Sequence, residues 1–137
     1  MPDMKRQNIK EGITNILESK TILIVEDDDF IFNLLEVMLT DTGINMMHAG
    51  DGEIAIELVK NNRVDLILLD IRLPGENGFE IFEKIRKMKS QIPVVAQTAN
   101  HIPEERDKFL KAGFNDYLTK PIDYETIHSL IYKLIGN

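Results

Sequence analysis

The chain has 137 residues, 43% of them apolar and 28% charged, with a formal net charge of −7 and a pI near 4.9. That length suits one domain with one core, and the acidic balance speaks against nucleic acid or anionic membrane as partners, because the chain's field repels phosphate. There is no cysteine, so disulfides, thiolate zinc sites and cysteine nucleophiles are excluded; with no apolar run of bilayer length and no signal-peptide core at the N-terminus, a cytoplasmic domain without direct membrane contact is expected.

Residues 1–19 come before the first strand. Ile9, Ile13, Ile16 and Leu17 recur at helical spacing, but Gly12 costs such a helix about 1 kcal/mol relative to alanine. A linker or N-terminal extension is the plainer reading, and an amphipathic helix the second. The domain proper is expected over 20–137. Thr21–Val25 is a run of β-branched and leucine residues, and the first helix follows it. There Ile31, Leu34, Leu35 and Met38 hold i, i+3, i+4, i+7 spacing, Asp28 or Asp29 can cap the start, and Gly43 stops it. Asn45–His48 reads as a second strand, and Asp51-Gly52 turns into a helix over 53–60. Leu66–Leu69 is a third strand ending at Asp70. Asn77 or Gly78 opens a helix holding Phe79, Phe82 and Ile85. Pro93–Ala96 is a strand whose proline, lacking an N–H, belongs at its first residue. Pro103 begins a helix that closes at Ala112-Gly113. Asp116–Leu118 is the fifth strand, and the last helix puts Ile127, Leu130, Ile131 and Leu134 on one stripe.

The strands read as continuous apolar runs, as parallel strands covered on both faces do. Five of them alternating with five helices across short loops predict an α/β fold with a helix layer on each face of a parallel sheet. In such sheets ligands bind beyond the carboxyl ends of the strands. Those ends carry Glu26-Asp27, Asp70, Thr98-Ala99 and Lys120-Pro121. Carboxylates crowded together repel one another and gain from a hard divalent cation; Mg²⁺ prefers oxygen ligands and takes one or two carboxylates plus phosphate. Lys120 offers a point charge, and Thr98 a hydroxyl, to phosphoryl oxygens. A carboxylate nucleophile forming an acyl phosphate is known chemistry, and Asp70, directly ending the most hydrophobic strand, is the best placed candidate.

The runs Ile22–Asp28, Leu69–Gly78, Thr98-Ala99 and Lys120-Pro121 stand in order along the chain, and together they resemble the response-regulator receiver family over roughly residues 20–136. The resemblance implies a flavodoxin-like doubly wound five-stranded sheet in the order 2-1-3-4-5, with five helices. It implies phosphorylation at Asp70, a Mg²⁺ ion held by Glu26, Asp27, Asp70 and the backbone carbonyl of Arg72, and phosphoryl binding by Thr98 and Lys120. A cis Lys120–Pro121 bond and a switch role for Tyr117, coupled to Thr98, are further implications. Implied partners are a histidine kinase or a histidine phosphotransfer domain, with room for a weak homodimer.

Plainer readings exist for several residues. Asp28 and Asp29 suit a helix N-terminus, and Tyr117 suits a half-buried structural role. The Arg72 side chain is expected in solvent at the pocket mouth, where it and Asn100 flank the access route. His48, His101 and His128 read as surface or loop residues, and Met46-Met47 as core. Two other functions compete with this one. A docking module that works unphosphorylated would be expected to lack the acids or the lysine. A phosphohydrolase of the haloacid-dehalogenase type needs a second acid two residues after the nucleophile, where this chain has Arg72. Nucleotide binding is disfavoured because no glycine-rich loop follows the first strand. The stretch Gln97-Thr98-Ala99-Asn100 and the motif Asp70-Ile71-Arg72 resemble receivers attached to hybrid histidine kinases, with 1–19 as linker; a stand-alone single-domain regulator is the alternative.

Overall fold

The structure is a computed structural model that describes residues 16–99 and 103–136, the last including 103–105 as backbone alone. The reading for the N-terminal extension over residues 1–15, and those for Asn100 and His101, lie outside the described residues.

Five strands form one parallel sheet: β1 (Thr21–Val25), β2 (Asn45–Ala49), β3 (Leu66–Asp70), β4 (Val94–Thr98) and β5 (Asp116–Thr119), in the order β2-β1-β3-β4-β5. Its helices are α1 (Asp29–Leu39), α2 (Gly52–Asn61), α3 (Gly78–Met88), α4 (Pro103–Ala112) and α5 (Tyr124–Ile135). The expected sheet order therefore holds. Register runs Val25↔Leu69 between β1 and β3, Asp70↔Gln97 between β3 and β4, and Thr98↔Thr119 between β4 and β5. This aligns the carboxyl ends of the three central strands at one edge.

Alternation along each strand sends side chains to two cores. Leu23, Val25, Ile67, Leu69, Val94 and Ala96 face one core, with α2, α3 and α4. It is aromatic: Phe82 and Phe114 stack at 4.0 Å, and Phe79 stacks on Phe109 at 5.4 Å. Ile22, Ile24, Leu66, Leu68, Val95 and Leu118 face the other core, which is aliphatic and shared with α1 and α5. Leu17 is wholly buried in that second core, ahead of β1.

The caps follow from local side chains. Asp28 accepts from the Phe30 N–H, Asp51 from Ile54, Asn77 from Phe79 and Asp123 from Thr126, each satisfying a donor that the helix leaves open. Some boundaries differ from the sequence reading. α1 ends at Leu39, and a 3₁₀ turn over Thr40–Thr42 precedes Gly43, whose φ of 76° completes the stop. The threonines cause this, because Thr40 Oγ1 donates to the Glu36 carbonyl and Thr42 Oγ1 to that of Leu39. β4 begins at Val94, one residue after Pro93, and runs on to Thr98. A small antiparallel pair, Arg72–Leu73 with Glu76–Asn77, gave no sequence signal.

His48 and His128 are half-buried, in a strand and a helix, and each is engaged rather than free on the surface or in a loop. The ring of His48 stacks on Phe32 at 4.0 Å, and its Nε2 lies 2.7 Å from the Glu26 carbonyl. His128 Nε2 lies 2.7 Å from the Met38 carbonyl, with its ring on Tyr124. Each pins α1 or its approach to a neighbouring element, a role that spacing does not reveal. Met46 and Met47 pack against opposite cores, as expected.

Candidate functional site

Glu26 follows β1 and is wholly buried; its N–H donates to the Ala49 carbonyl at 3.0 Å, which extends the sheet by one residue. Asp27, next along, is exposed. Asp70 is the last residue of β3 and 3% exposed. One oxygen from each of these three carboxylates lies within 4.8 Å of the others. Such a cluster of acids at a parallel sheet edge is held together only at electrostatic cost.

Lys120 offsets part of that cost. The cis Lys120–Pro121 bond lies in the loop after β5, and the Lys120 N–H donates to the Thr98 carbonyl at 2.8 Å. Its Nζ sits 3.0 Å from Asp70 Oδ2 and 3.3 Å from Glu26 Oε1. Burial alone would lower the lysine's pKa, but the hydrogen bond and charge of Asp70, then those of Glu26, hold it above its ordinary 10.5. Glu26 moves the other way from a usual carboxylate. Burial, then the hydrogen bond and charge of Asp70, push it up to about 8 against the opposing pull of Lys120. Its Oε2 finds no hydrogen-bond partner among the described residues.

The remaining residues flank this cluster. The Arg72 N–H donates to Asp70 Oδ1 at 2.9 Å and fixes the carboxylate's rotation, while the Arg72 side chain is exposed as expected. The loop that bears it folds tightly on Gly78, whose N–H donates to the Ile71 carbonyl at 3.2 Å. Thr98 ends β4 and is buried. Tyr117 lies on the aromatic face, half-buried, with its ring 6.1 Å from that of Phe109. The fold thus gathers Glu26, Asp27, Asp70 and Lys120 at one point. Thr98 is tied to it through the backbone, and Tyr117 stands one strand across.

The matching family model, described as response regulator receiver domain, covers residues 22–132. The chain belongs to the receiver domain family.

Among curated relatives, the receiver is 42% identical over 110 residues to a transcriptional regulatory protein, YrkP, of Bacillus subtilis, covering 80% of this chain and 47% of that protein. It spans about half the length of the first such relatives it matches. Among solved structures, it resembles the receiver domain of the sensor histidine kinase PA1611 from Pseudomonas aeruginosa (TM-score 0.77, 33% identity, 86% of this chain and 98% of that one), which holds a magnesium ion in its active-site cleft. It also resembles the receiver of the Saccharomyces cerevisiae response regulator Ssk1, crystallised with the histidine phosphotransfer protein Ypd1 (TM-score 0.78, 29% identity, 85% and 88%). Among the described residues, no helix is long and apolar enough to cross a membrane.

Two residues of this region escaped the sequence reading. The Glu76 carboxylate accepts from the Gly52 N–H at 3.1 and 3.0 Å and so caps α2 from 24 residues away, a contact with no local signal. Gln97 is wholly buried beside Asp70's position in register. Its signal was legible: a polar residue inside the apolar run Val94–Thr98, at a position that alternation turns inward.

Proposed function

We propose that this receiver takes a phosphoryl group from a phosphohistidine onto Asp70 in a Mg²⁺-dependent reaction that it promotes itself. One observation carries the reading: the 3% exposed Asp70 carboxylate, the acids Glu26 and Asp27, and the Lys120 ammonium 3.0 Å away converge at one sheet edge. The donor set fits a hard divalent cation, being all oxygen, clustered within 4.8 Å and including one buried oxygen, Glu26 Oε2, without a partner among the described residues. Glu26, Asp27, Asp70 and the Arg72 carbonyl would hold the ion. When bound, it neutralises charge on the carboxylates and on the phosphoryl oxygens.

The chain's own residues do the rest. An Asp70 oxygen attacks phosphorus, the P–N bond to the donor's imidazole breaks with its electron pair going to the ring nitrogen, and an acyl phosphate forms. The Arg72 N–H orients the carboxylate for that attack. Lys120 and Thr98 bind the transferred oxygens, and Tyr117 follows Thr98 to alter the face of α4, β5 and α5. Any signal must then come from a difference in a partner's affinity for that face. Later hydrolysis of the acyl bond returns Asp70 and inorganic phosphate. The donor, a histidine kinase or phosphotransfer domain, docks beside α1, where Phe30 and Val37 stand 73% and 72% exposed; the Ssk1–Ypd1 complex supports such a partner.

The chain reads as the receiver of a hybrid histidine kinase, supported by its likeness to the PA1611 receiver and by the stretch Gln97-Thr98-Ala99-Asn100. A response regulator, stand-alone or joined to an output domain, is the second reading, favoured by 42% identity to YrkP. The complete reading frame decides between them, a kinase core upstream supporting the first and a DNA-binding domain downstream the second.

Acetyl phosphate tests the chemistry, with intact mass recorded with and without Mg²⁺ beside Asp70→Ala. One added phosphoryl group, dependent on Mg²⁺ and absent from the variant, is expected. A folded domain that gains no mass and binds no beryllofluoride would replace this reading with docking alone.

A further inference from the structure

Between α1 and the Lys120–Ile122 loop lies a cleft of about 340 Å³, at the small end of the range for ligand sites. Its walls are apolar (Ile31, Leu34, Leu35, Met38 and Ile122), and Gln97 and Lys120 also line it. The Gln97 carboxamide is wholly buried, and neither its oxygen nor its nitrogen has a hydrogen-bond partner among the described residues. A buried amide left so costs on the order of 1–3 kcal/mol for each unmet group, so sequences rarely keep one without a partner.

Sequence alone does not require glutamine here. The neighbouring inward positions on the same face are Val95 on this strand and Leu118, its partner in register, on β5. A leucine or methionine would fill the place without unmet polar atoms.

We propose that the cleft is a binding site for a small amphiphile carrying a primary carboxamide or a lactam. The chemistry follows from which atoms are unmet. Gln97 offers both a donor and an acceptor, so its complement must accept and donate side by side. A carboxylate only accepts and would leave Gln97 Oε1 unanswered. A hydrocarbon would leave both atoms unanswered. Lys120 does not change this choice, because its ammonium is already engaged by Asp70 and Glu26. The apolar walls take the ligand's body, of the size of one aromatic ring or a short acyl chain. Because α1 forms one wall, a bound ligand lies beside the face proposed for the phosphodonor and competes with its docking. It leaves the Asp70 carboxylate open to small donors.

Benzamide is the probe, compared with benzoate and ethylbenzene by titration of the ¹⁵N-labelled domain. The Gln97 side-chain NH₂ signals are assigned by their loss in Gln97→Met. Benzamide is expected to shift those signals and to bind on the order of tenfold more tightly than ethylbenzene, as two added neutral hydrogen bonds allow. Gln97→Met should abolish that preference. Leu34→Trp, at a half-exposed wall position, should block benzamide without altering the strand, which keeps the test decisive if Gln97→Met fails to fold. Equal binding of benzamide and ethylbenzene would reduce the cleft to an apolar docking surface and overturn the proposal. So would a preference that survives Gln97→Met, or tighter binding of benzoate. No shift with any probe would leave ordered water as Gln97's partner and overturn it as well.

Discussion

Glu26 gives the site a pH signature in the absence of metal. Its pKa is 4.5 in ordinary surroundings and is pushed up to about 8 in the fold, first by burial and then by Asp70. The folded chain therefore binds this proton more tightly than the unfolded chain. The stability the proton contributes is complete below 4.5 and is lost as pH rises through 8. Within that window each pH unit removes about 1.4 kcal/mol, on the order of 5 kcal/mol as a ceiling across it. Lys120 adds no slope there, since its raised pKa puts its own loss of stability above 10.5. With a urea m-value of about 2 kcal/mol/M, the midpoint should fall by roughly 0.7 M for each pH unit. The assay is urea unfolding in EDTA at intervals from pH 5 to pH 8, on the native chain and on Glu26→Gln. The variant has no titrating group at this position and should be flatter across the range. A native midpoint that is constant or rises with pH, or an equal slope in the variant, would refute the reasoning about the buried acid.

Three further outcomes test how the fold positions the site. A Cβ at Gly78 would lie 2.7 Å from Ile71 Cα and 2.9 Å from its carbonyl oxygen; Gly78→Ala should cost about 1–3 kcal/mol in denaturant unfolding and weaken Mg²⁺ binding. Gly50→Ala meets nothing within 4 Å among the described residues and is the near-neutral control. Arg86 donates to the Ile92 carbonyl and to Asn115 Oδ1 at 2.8 Å, and lies over the Phe82 ring at 4.9 Å. Arg86→Ala should cost about 2–4 kcal/mol by thermal or urea unfolding, with acetyl phosphate labelling retained once folded. Asp28→Ala removes the α1 cap and should cost about 1 kcal/mol by urea unfolding, without weakening Mg²⁺ binding in a calorimetric titration.

Much of this architecture was legible because it rests on local patterns. Apolar runs such as Leu66–Leu69 mark strands buried on both faces, and Asp28, Asp51 and Asn77 announce helix starts through their own backbone chemistry. The cluster at the sheet edge was legible for a related reason: parallel strands in register deliver their terminal residues to one place. Contacts made by one residue across the fold were not legible. His48 looked like a surface residue because nothing beside it in sequence predicts Phe32's ring or the Glu26 carbonyl. Glu76 gave no hint that it caps α2, and Arg86, on the exposed-looking end of α3, ties together the approaches to β4 and β5. The early end of α1 depended on two threonine hydroxyls turning back on their own helix, which a glycine-based stop signal overlooks.

The two faces of β4 link the proposed chemistry to the proposed ligand. Alternation puts Thr98 on the side of Val94 and Ala96, facing the aromatic core and Tyr117. It puts Gln97 on the side of Val95, facing the aliphatic core and the α1 cleft. The two residues are adjacent on one strand end, and the backbone of Thr98 also holds Lys120 through a 2.8 Å hydrogen bond. A shift of this strand end toward a phosphoryl group therefore moves both faces together. A ligand that fixes Gln97 would resist that shift, and an acyl phosphate that draws Thr98 inward would change the cleft. Coupling of that kind is reciprocal, so an occupied Asp70 site should change benzamide affinity by the same factor by which benzamide changes the site's affinity for beryllofluoride. Measuring benzamide binding with and without beryllofluoride reads this factor directly. An identical affinity in both states would show that the two faces of β4 act independently.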